Sequence, residues 1–533
     1  MLIMFGALTS KTYAFKARPW ELRSVNSIDT FDALGSNTKI DFKNDEILRL
    51  LPRKCDSING FWISNKSRYF YDAVKNNRLT SPYVKKGGRY VKIGWKKVLN
   101  LLAQLFKVIT KEYGKEACHF TYSSDLSTHS LLSLKNVANS IGLKAYNITP
   151  TSLNADYPNN YYFTTPIVDL GKLSTMVFIG LDPRQEASTL NLRLRKIQQG
   201  GGSVTQDESS PLSIFSIGAT TNPTIKQSSP SLSLKELADI SMGRSAVCNQ
   251  IIGSAVKKGG YLAQEAIEES CFSQVMNSPS YFAKSPSWGV YGKGVGFFYG
   301  DSLTRRCDQE HIYETLKVIE KVVKALSTQT VAVSYLSSFA NSAGAAALGL
   351  TCSNSVGRGN SLVNYVVGDS NVTNSAVTIS QDAFFTGGDV LLPRALFVEA
   401  SEMYTNVEGL NQSTNRAVDA PGHATADWAI FRALSFALNK KSKYKDKKML
   451  AAGGNVLSPS FSSVKGQSFL LGQPSKALPF NMLGSSEGLK FSNKPLTPMI
   501  YDFYKSNIIC KHSVNLNKGS QSLKLNHSNY NFL

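Results

Sequence analysis

Thiolate chemistry is what this sequence has least of. Seven cysteines stand among 533 residues, and no two form a C-x-x-C pair. Their odd number and wide spacing, from Cys55 to Cys510, exclude a disulfide framework and fit a reducing compartment. No zinc or iron–sulfur spacing is present. Histidine is also scarce. Of six, only His119 adjoins a cysteine, and no local Ser/His/Asp or Cys/His arrangement supports a hydrolase. There is no Walker lysine followed by Ser or Thr, no helix-turn-helix signature and no aromatic RNA-binding motif.

Long apolar runs are missing too. The most tempting stretch, Val331 to Thr351, is interrupted by serines, Asn341 and glycines. A spanning helix needs about 20 mostly apolar residues, so this stretch is expected to be buried backbone, and no membrane span is expected. The opening MLIMFGALTSK is apolar for only a few residues and carries no basic leader or cleavage pattern. It is not expected to be a secretory signal.

Positive charge, by contrast, is abundant. Lys and Arg number 59 against 38 Asp and Glu, a formal net charge of +21. The cations are spread along the chain, at Lys85-Lys86, at Lys257-Lys258 and from Lys440 to Lys448. That distribution points to an acidic protein neighbour or a solvated basic surface, and not to nucleic acid. A composition of 42% hydrophobic and 18% charged residues is that of a folded protein. The length exceeds what one core supports, so two to four compact units are expected.

Along the chain, residues 1–90 read as a small β-rich unit with turn signals at Asn44-Asp45 and Asn59-Gly60. From Trp95 the pattern becomes helical, with Val98, Leu101, Leu102, Leu105 and Val108 on one face, and Leu131, Leu134, Ala138 and Ile141 on another helix. Short stretches at Cys118–Tyr122, Met176–Ile179, Ile214–Gly218, Val295–Gly300, Tyr365–Gly368 and Ala376–Ile379 read as strands. Helices are expected at Leu234–Ser241, Val247–Lys257 and His311–Leu326. Strands alternating with helices predict a doubly wound α/β architecture. The predicted division is 1–90, then α/β units at 91–285 and 286–440, then a packed C-terminal tail at 441–533.

The glycine-rich candidates for phosphate binding are weak. Gly292-Lys-Gly294-Val-Gly296 precedes a strand, whereas a dinucleotide fingerprint follows one. Gly200-Gly201-Gly202 sits in a loop. Leu181-Asp182-Pro183-Arg184 lies at the carboxyl end of a strand, where α/β folds bind ligands. Two readings stand: Arg184 holds a phosphate, or Asp182-Pro183 makes the turn and Arg184 pairs locally.

Several ordered segments resemble a known family. They include Gly6-Ala-Leu-Thr-Ser-Lys11, Ala17-Arg-Pro-Trp-Glu-Leu22, Ser27-Ile-Asp-Thr-Phe-Asp-Ala-Leu-Gly-Ser-Asn37, Leu48-Arg-Leu-Leu-Pro-Arg53 and Trp62-Ile-Ser-Asn-Lys-Ser-Arg68. Tyr71-Asp72 and Arg78-Leu79 follow in order. Ile179-Gly-Leu-Asp-Pro-Arg-Gln-Glu-Ala187, Asp389-Val-Leu-Leu-Pro393, Tyr404-Thr-Asn-Val-Glu-Gly409, Asp427-Trp428, Arg432-Ala-Leu434 and Asp502-Phe-Tyr504 continue the series. The set resembles the molybdopterin-oxidoreductase-like half of the large iron–sulfur subunit of respiratory complex I, NADH:ubiquinone oxidoreductase.

The resemblance implies an α/β, molybdopterin-oxidoreductase-like fold with doubly wound sheets and a small N-terminal β-rich unit, a vestigial iron–sulfur domain. It places a cluster cysteine of the family's ferredoxin-like half at Ile3, with Met4 and Phe5 in place of Pro-Val. A second, tetranuclear site of the wider family, spaced C-x2-C-x3-C-x27-C, falls on Asp29, Asp32, Ser36 and Ser64. Two carboxylates and two hydroxyls are hard donors, and iron–sulfur clusters need soft thiolates. Turn and capping roles are the default for such residues. Leu410 stands where the family commonly has an arginine after the Glu-Gly pair.

By this resemblance the chain has no catalytic residue, metal or cofactor of its own. It is expected to be a structural subunit of the peripheral arm of complex I, on the matrix side of the mitochondrial inner membrane. Its expected partners are other peripheral-arm subunits and a cluster-bearing ferredoxin-like half encoded as a separate chain. The alternative is a cofactor-binding molybdopterin-type oxidoreductase.

Overall fold

In a computed structural model, residues 10–148, 160–199, 212–218, 294–306, 331–350, 361–368, 375–440, 446–450 and 499–530 are described, with a few single positions between them. The helices expected at Leu234–Ser241 and Val247–Lys257, and the Gly200–Gly202 loop, lie outside these residues. So does most of His311–Leu326. The chain divides into two compact units: residues 1–156, 339–463 and 500–533 form the first, and 157–338 with 464–499 form the second.

The first unit opens with an antiparallel meander of β1 (Arg23–Ile28), β2 (Asn37–Lys43) and β3 (Glu46–Pro52). Asn44 and Asp45 both have positive φ, 49° and 60°, which makes the two-residue link between β2 and β3 a tight hairpin turn. Ile28, Ile40, Ile47 and Leu50 point from this sheet into a core shared with Phe31, Phe70 and Phe397. A short helix, α1 (Asn65–Tyr69), follows and is capped by the Ser64 hydroxyl, which accepts from the Ser67 amide.

The hairpin of β4 (Tyr83–Lys86) and β5 (Arg89–Lys92) turns on Gly87 and Gly88. Then α2 (Trp95–Glu112) buries Val98, Leu102 and Phe106, four residues apart. Val108, expected on the same face, is exposed. The strand β6 (Cys118–Tyr122) is buried throughout, as parallel strands covered on both faces are. Ser127 caps α3 (Thr128–Ile141), which ends on left-handed Gly142 and leads into β7 (Lys144–Asn147).

The chain then builds the second unit. It runs through β8 (Leu173–Ile179), α4 (Pro183–Glu186), α5 (Ser188–Gln198), β9 (Ser213–Ile217), β10 (Gly294–Gly300), α6 (Asp301–Thr304) and β11 (Val331–Leu336). The four strands form a parallel sheet in the order β11-β10-β8-β9.

Returning to the first unit, the chain forms α7 (Ser342–Ala347), β12 (Val363–Val367), β13 (Val377–Asp382), β14 (Val390–Pro393), the short pair β15 (Met403–Thr405) and β16 (Asn411–Ser413), and α8 (Asp427–Ala437). The large sheet has the order β5-β4-β14-β13-β12-β6-β7, parallel except for the β4–β5 edge. Its core gathers Phe106, Phe120, Tyr365 and Phe431. Burying each such ring contributes about 1.5–3 kcal/mol. Finally α9 (Ile508–His512) and α10 (Val514–Tyr530) pack Cys510 and Leu516 into the core beneath the N-terminal meander. Strands from 91–285 and from 286–440 thus enter both parallel sheets, so the sheets are not divided along the chain as those two segments are.

Candidate functional site

The segment between β1 and β2 folds on its own side chains. The Asp29 carboxylate accepts from the Phe31 amide at 2.9 Å, and Asp32 accepts from the Leu34 amide at 3.2 Å. Both are Asx turns. The Asp29 amide donates to the Ser36 carbonyl at 2.8 Å. From the other side, the Ser67 hydroxyl donates to Asp29 and lies 2.6 Å from the Ser64 hydroxyl. The four positions Asp29, Asp32, Ser36 and Ser64 are therefore brought together, and all are buried. Ile3 lies outside the described residues.

Sequence reasoning missed Lys66, two positions after Ser64. It is only 1% exposed. Its Nζ lies 3.4 Å from the Phe31 carbonyl, 3.3 Å from the Ser506 hydroxyl and 4.8 Å from the centre of the Phe503 ring. Burial raises the Asp29 carboxyl above its ordinary value, against its hydrogen bonds and the pull of Lys66. Burial and then the Asp29 charge push Asp32 up to about 7. Cys510, fully buried nearby, has its thiol pushed up to about 12 by burial, which makes it inert. The signal for Lys66 was present as a lysine on a five-residue helix capped by one of the four positions; only the fold turns it inward.

The large sheet reverses its winding between β6 and β12, the place where open α/β sheets bind ligands. At these strands' carboxyl ends lie Ser123, Gly368, Asp382 and Arg394, around a cavity of about 40 Å³. That is room for water and not for a pterin dinucleotide. Asn507 closes it, donating to Asp125 at 2.7 Å. Deeper in, Arg394 lies 3.4 Å from Asp427, which also accepts from Gln381 at 2.7 Å and Ser130 at 3.0 Å. Glu402 accepts from Ser127 at 2.8 Å and lies 3.2 Å from His129 Nδ1. Burial raises Asp427 even though Arg394 opposes it. Leu410 is exposed beside β16.

In the second unit the winding reverses between β8 and β10. Gly180 and Gly218, both with positive φ, end β8 and β9, and the Leu496 side chain packs against both. Asp182 is an N-cap, accepting from the Arg184 amide at 3.0 Å, with Pro183 in the first helical turn. Arg184 itself is exposed. The Asp182-Pro183 turn is present at the start of α4.

A family model described as molybdopterin oxidoreductase matches residues 78–437. One described as NADH-ubiquinone oxidoreductase NDSU1/NuoG-like, 4Fe-4S domain, matches residues 22–72. The NADH-ubiquinone oxidoreductase 75 kDa subunit of Reclinomonas americana is 29% identical over 98% of this chain and 71% of its own length. The mitochondrial 78 kDa subunit of Neurospora crassa is 28% identical over 99% of this chain and 66% of its own length. An NADH-quinone oxidoreductase subunit of Rickettsia bellii is 29% identical over 96% of this chain and 67% of its own length. Among solved structures, acetylene hydratase from Pelobacter acetylenicus aligns with a TM-score of 0.47 at 12% identity, over 78% of this chain and 69% of that one. The chain belongs to the molybdopterin oxidoreductase family, in its branch of complex I large subunits.

Those names imply a pterin and a tetranuclear cluster, and the described residues fit neither. The first crevice is too small, with Asn507 across it, and the second has Leu496 against its glycines. Asp29, Asp32, Ser36 and Ser64 offer no sulfur, and the buried Lys66 reaches the Phe31 carbonyl beside them. Among the described residues, no group of three or more His, Cys, Asp or Glu side chains is arranged to hold a metal ion.

Proposed function

We infer that this chain is a supporting subunit of the peripheral arm of respiratory complex I, in which electrons pass from NADH toward ubiquinone through clusters held by another polypeptide. The observation that carries this reading is the collinear match, over 96–99% of the chain, to the subunits of NADH-ubiquinone and NADH-quinone oxidoreductase described above. No catalytic step is assigned to the chain. Electron transfer depends steeply on distance, so the contribution of a rigid neighbour is to hold the cluster-bearing part in place. Among the described residues no helix is long and apolar enough to cross a membrane, in keeping with a peripheral position.

The finer reading places the chain on the matrix side of the mitochondrial inner membrane, beside a ferredoxin-like iron–sulfur half made as a separate chain. The mitochondrial relatives support the location, and the Ile3-Met4-Phe5 run, where the resemblance puts a cluster cysteine followed by Pro-Val, supports a cluster held elsewhere. The same proposal holds Asp29, Asp32, Ser36 and Ser64 to be former ligand positions. A cofactor-binding molybdopterin oxidoreductase is not favoured.

Native electrophoresis of mitochondrial membranes tests the assignment. The chain is expected to co-migrate with NADH dehydrogenase activity, and mass analysis of that band is expected to find a distinct iron–sulfur polypeptide. A chain absent from the active band removes the assignment. Cluster cysteines on the same polypeptide remove only the separate-chain reading.

A further inference from the structure

We propose that the β4–β5 hairpin, with the unpaired edge of β5, is a docking surface for an extended acidic segment of a partner protein, which joins the large sheet as a further strand. From Ala73 to Lys111 the sequence contains not one Asp or Glu. Within that run Lys85, Lys86, Arg89, Lys92, Lys96 and Lys97 are all exposed. None of these six forms an ion pair among the described residues. Asp389, whose carbonyl accepts from the Lys85 amide at 2.7 Å, turns its carboxylate to the Thr378 amide at 2.9 Å. Among the described residues, then, the first unit supplies no counter-charge to this hairpin.

The backbone supplies the second half of the argument. β5 stands last in its sheet, with β4 on one side and, among the described residues, no strand on the other. In an antiparallel pair alternate residues turn their amides and carbonyls away from the partner strand, so β5 presents a row of such groups to an incoming strand. The register puts Lys85 and Lys92 on one face, beside Tyr83 and Tyr90, whose rings meet the half-exposed Phe385 edge-on. It puts Lys86, Arg89 and the half-exposed Val91 on the other. An added strand, with side chains alternating between faces, meets cations and apolar surface on both. Lysines on a sheet edge ordinarily keep a strand from pairing with its own copy. Here the same charge excludes a second copy of this chain and selects acidic residues. Lys96 and Lys97 strengthen that selection: they stand in the first turn of α2, where a helix favours negative charge, and no acidic residue lies there. Phosphate polymers and anionic lipids match the charge but have no strand backbone to pair with β5.

The inference does not rest on the chain's place in complex I, and its test uses the purified full chain. Fluorescence anisotropy follows a labelled peptide of about ten alternating glutamates and valines at about 0.1 M salt. Saturable binding is expected. The variant Lys85→Gln/Lys86→Gln/Arg89→Gln/Lys92→Gln is expected to weaken it at least about tenfold while the melting temperature stays unchanged. Neutralising four exposed cations elsewhere, in Lys107→Gln/Lys111→Gln/Arg432→Gln/Lys440→Gln, is expected to weaken it by less than about threefold. A peptide methylated on every backbone amide keeps its charge and loses its strand donors. It is expected to lose most of the binding, a comparison that needs only the wild-type chain. No binding to wild type at about millimolar peptide, equal losses in the two quadruple variants, or undiminished binding of the methylated peptide overturns the proposal. So does a single-stranded DNA, or a vesicle of anionic phospholipid, that binds wild type more tightly than the peptide does and releases the hairpin variant.

Discussion

Arg78 and Glu399, 321 positions apart in sequence, meet as a two-point ion pair with both side chains buried. Arg78 also donates to the carbonyls of Val74 at 2.9 Å and Ala383 at 3.1 Å, while Glu399 accepts from the Leu396 amide at 2.8 Å. The pair ties the segment after α1 to the end of the large sheet. Removing one partner leaves the other as an unpaired buried charge. Arg78→Met or Glu399→Leu is expected to destabilise the chain by about 3–5 kcal/mol, and the double variant Arg78→Met/Glu399→Leu by clearly less than the sum. Melting temperatures of the three variants check this; additive losses would refute the coupling.

The Asp32 carboxyl, pushed up to about 7 from an ordinary 3.8 by burial and then by Asp29, makes stability depend on pH with a definite sign. Between these values the folded state holds a proton that the unfolded state has lost. The contribution is therefore full below about pH 4 and is lost as pH rises toward about 7. Asp32→Asn removes the dependence. Its melting temperature relative to wild type is expected to climb between about pH 4.5 and pH 8. A flat or falling difference across that range would show that Asp32 does not titrate there.

Two glycines separate backbone strain from collision. Gly60, with φ of +57°, has nothing within 4 Å of an added Cβ, so Gly60→Ala is expected to cost about 1–2 kcal/mol from the left-handed backbone alone. Gly422 has φ of +60°, and an added Cβ would sit 2.7 Å from the Thr80 carbonyl. That carbonyl is fixed by the His423 amide, also at 2.7 Å. Gly422→Ala is expected to be the more damaging of the two. Equal losses in melting temperature would be evidence against the collision.

The hard donors Asp29, Asp32, Ser36 and Ser64 are expected to leave the purified chain without a cluster even when iron and sulfide are supplied anaerobically. After desalting, absorbance in the visible region and iron content are expected to stay at background, and treatment with a chelator to leave the melting temperature unchanged. Retained iron with cluster absorbance would end the vestigial-site reading.

Much of the scaffold was readable in advance because its signals are local. The strands read at Cys118–Tyr122 and Met176–Ile179 fall within β6 and β8, and α2 and α3 carry a 3.6-residue period. Asn44-Asp45 and Ser127 are turn and cap residues whose chemistry is set within four positions. The four site positions were legible only through the family resemblance. Lys66 was not, because its inward course depends on Phe503 and Ser506, more than 400 residues later. For the same reason Asn507 and Leu496 in the two crevices carry no mark in the sequence: they are ordinary residues placed by tertiary structure.

The first unit's interrupted chain path has a consequence for biosynthesis. Its strand β6 lies between β7, close by, and β12, some 240 residues further on, and the pocket of Lys66 waits for Phe503 and Ser506. During translation the second unit's sheet, complete by Leu336, can assemble while the first is still missing its central neighbour strands. The meander, made before the second unit, is thus sealed after it. A ribosome carrying this chain leaves the meander, with Asp29, Asp32 and Lys66, unsealed until Phe503 and Ser506 have been made.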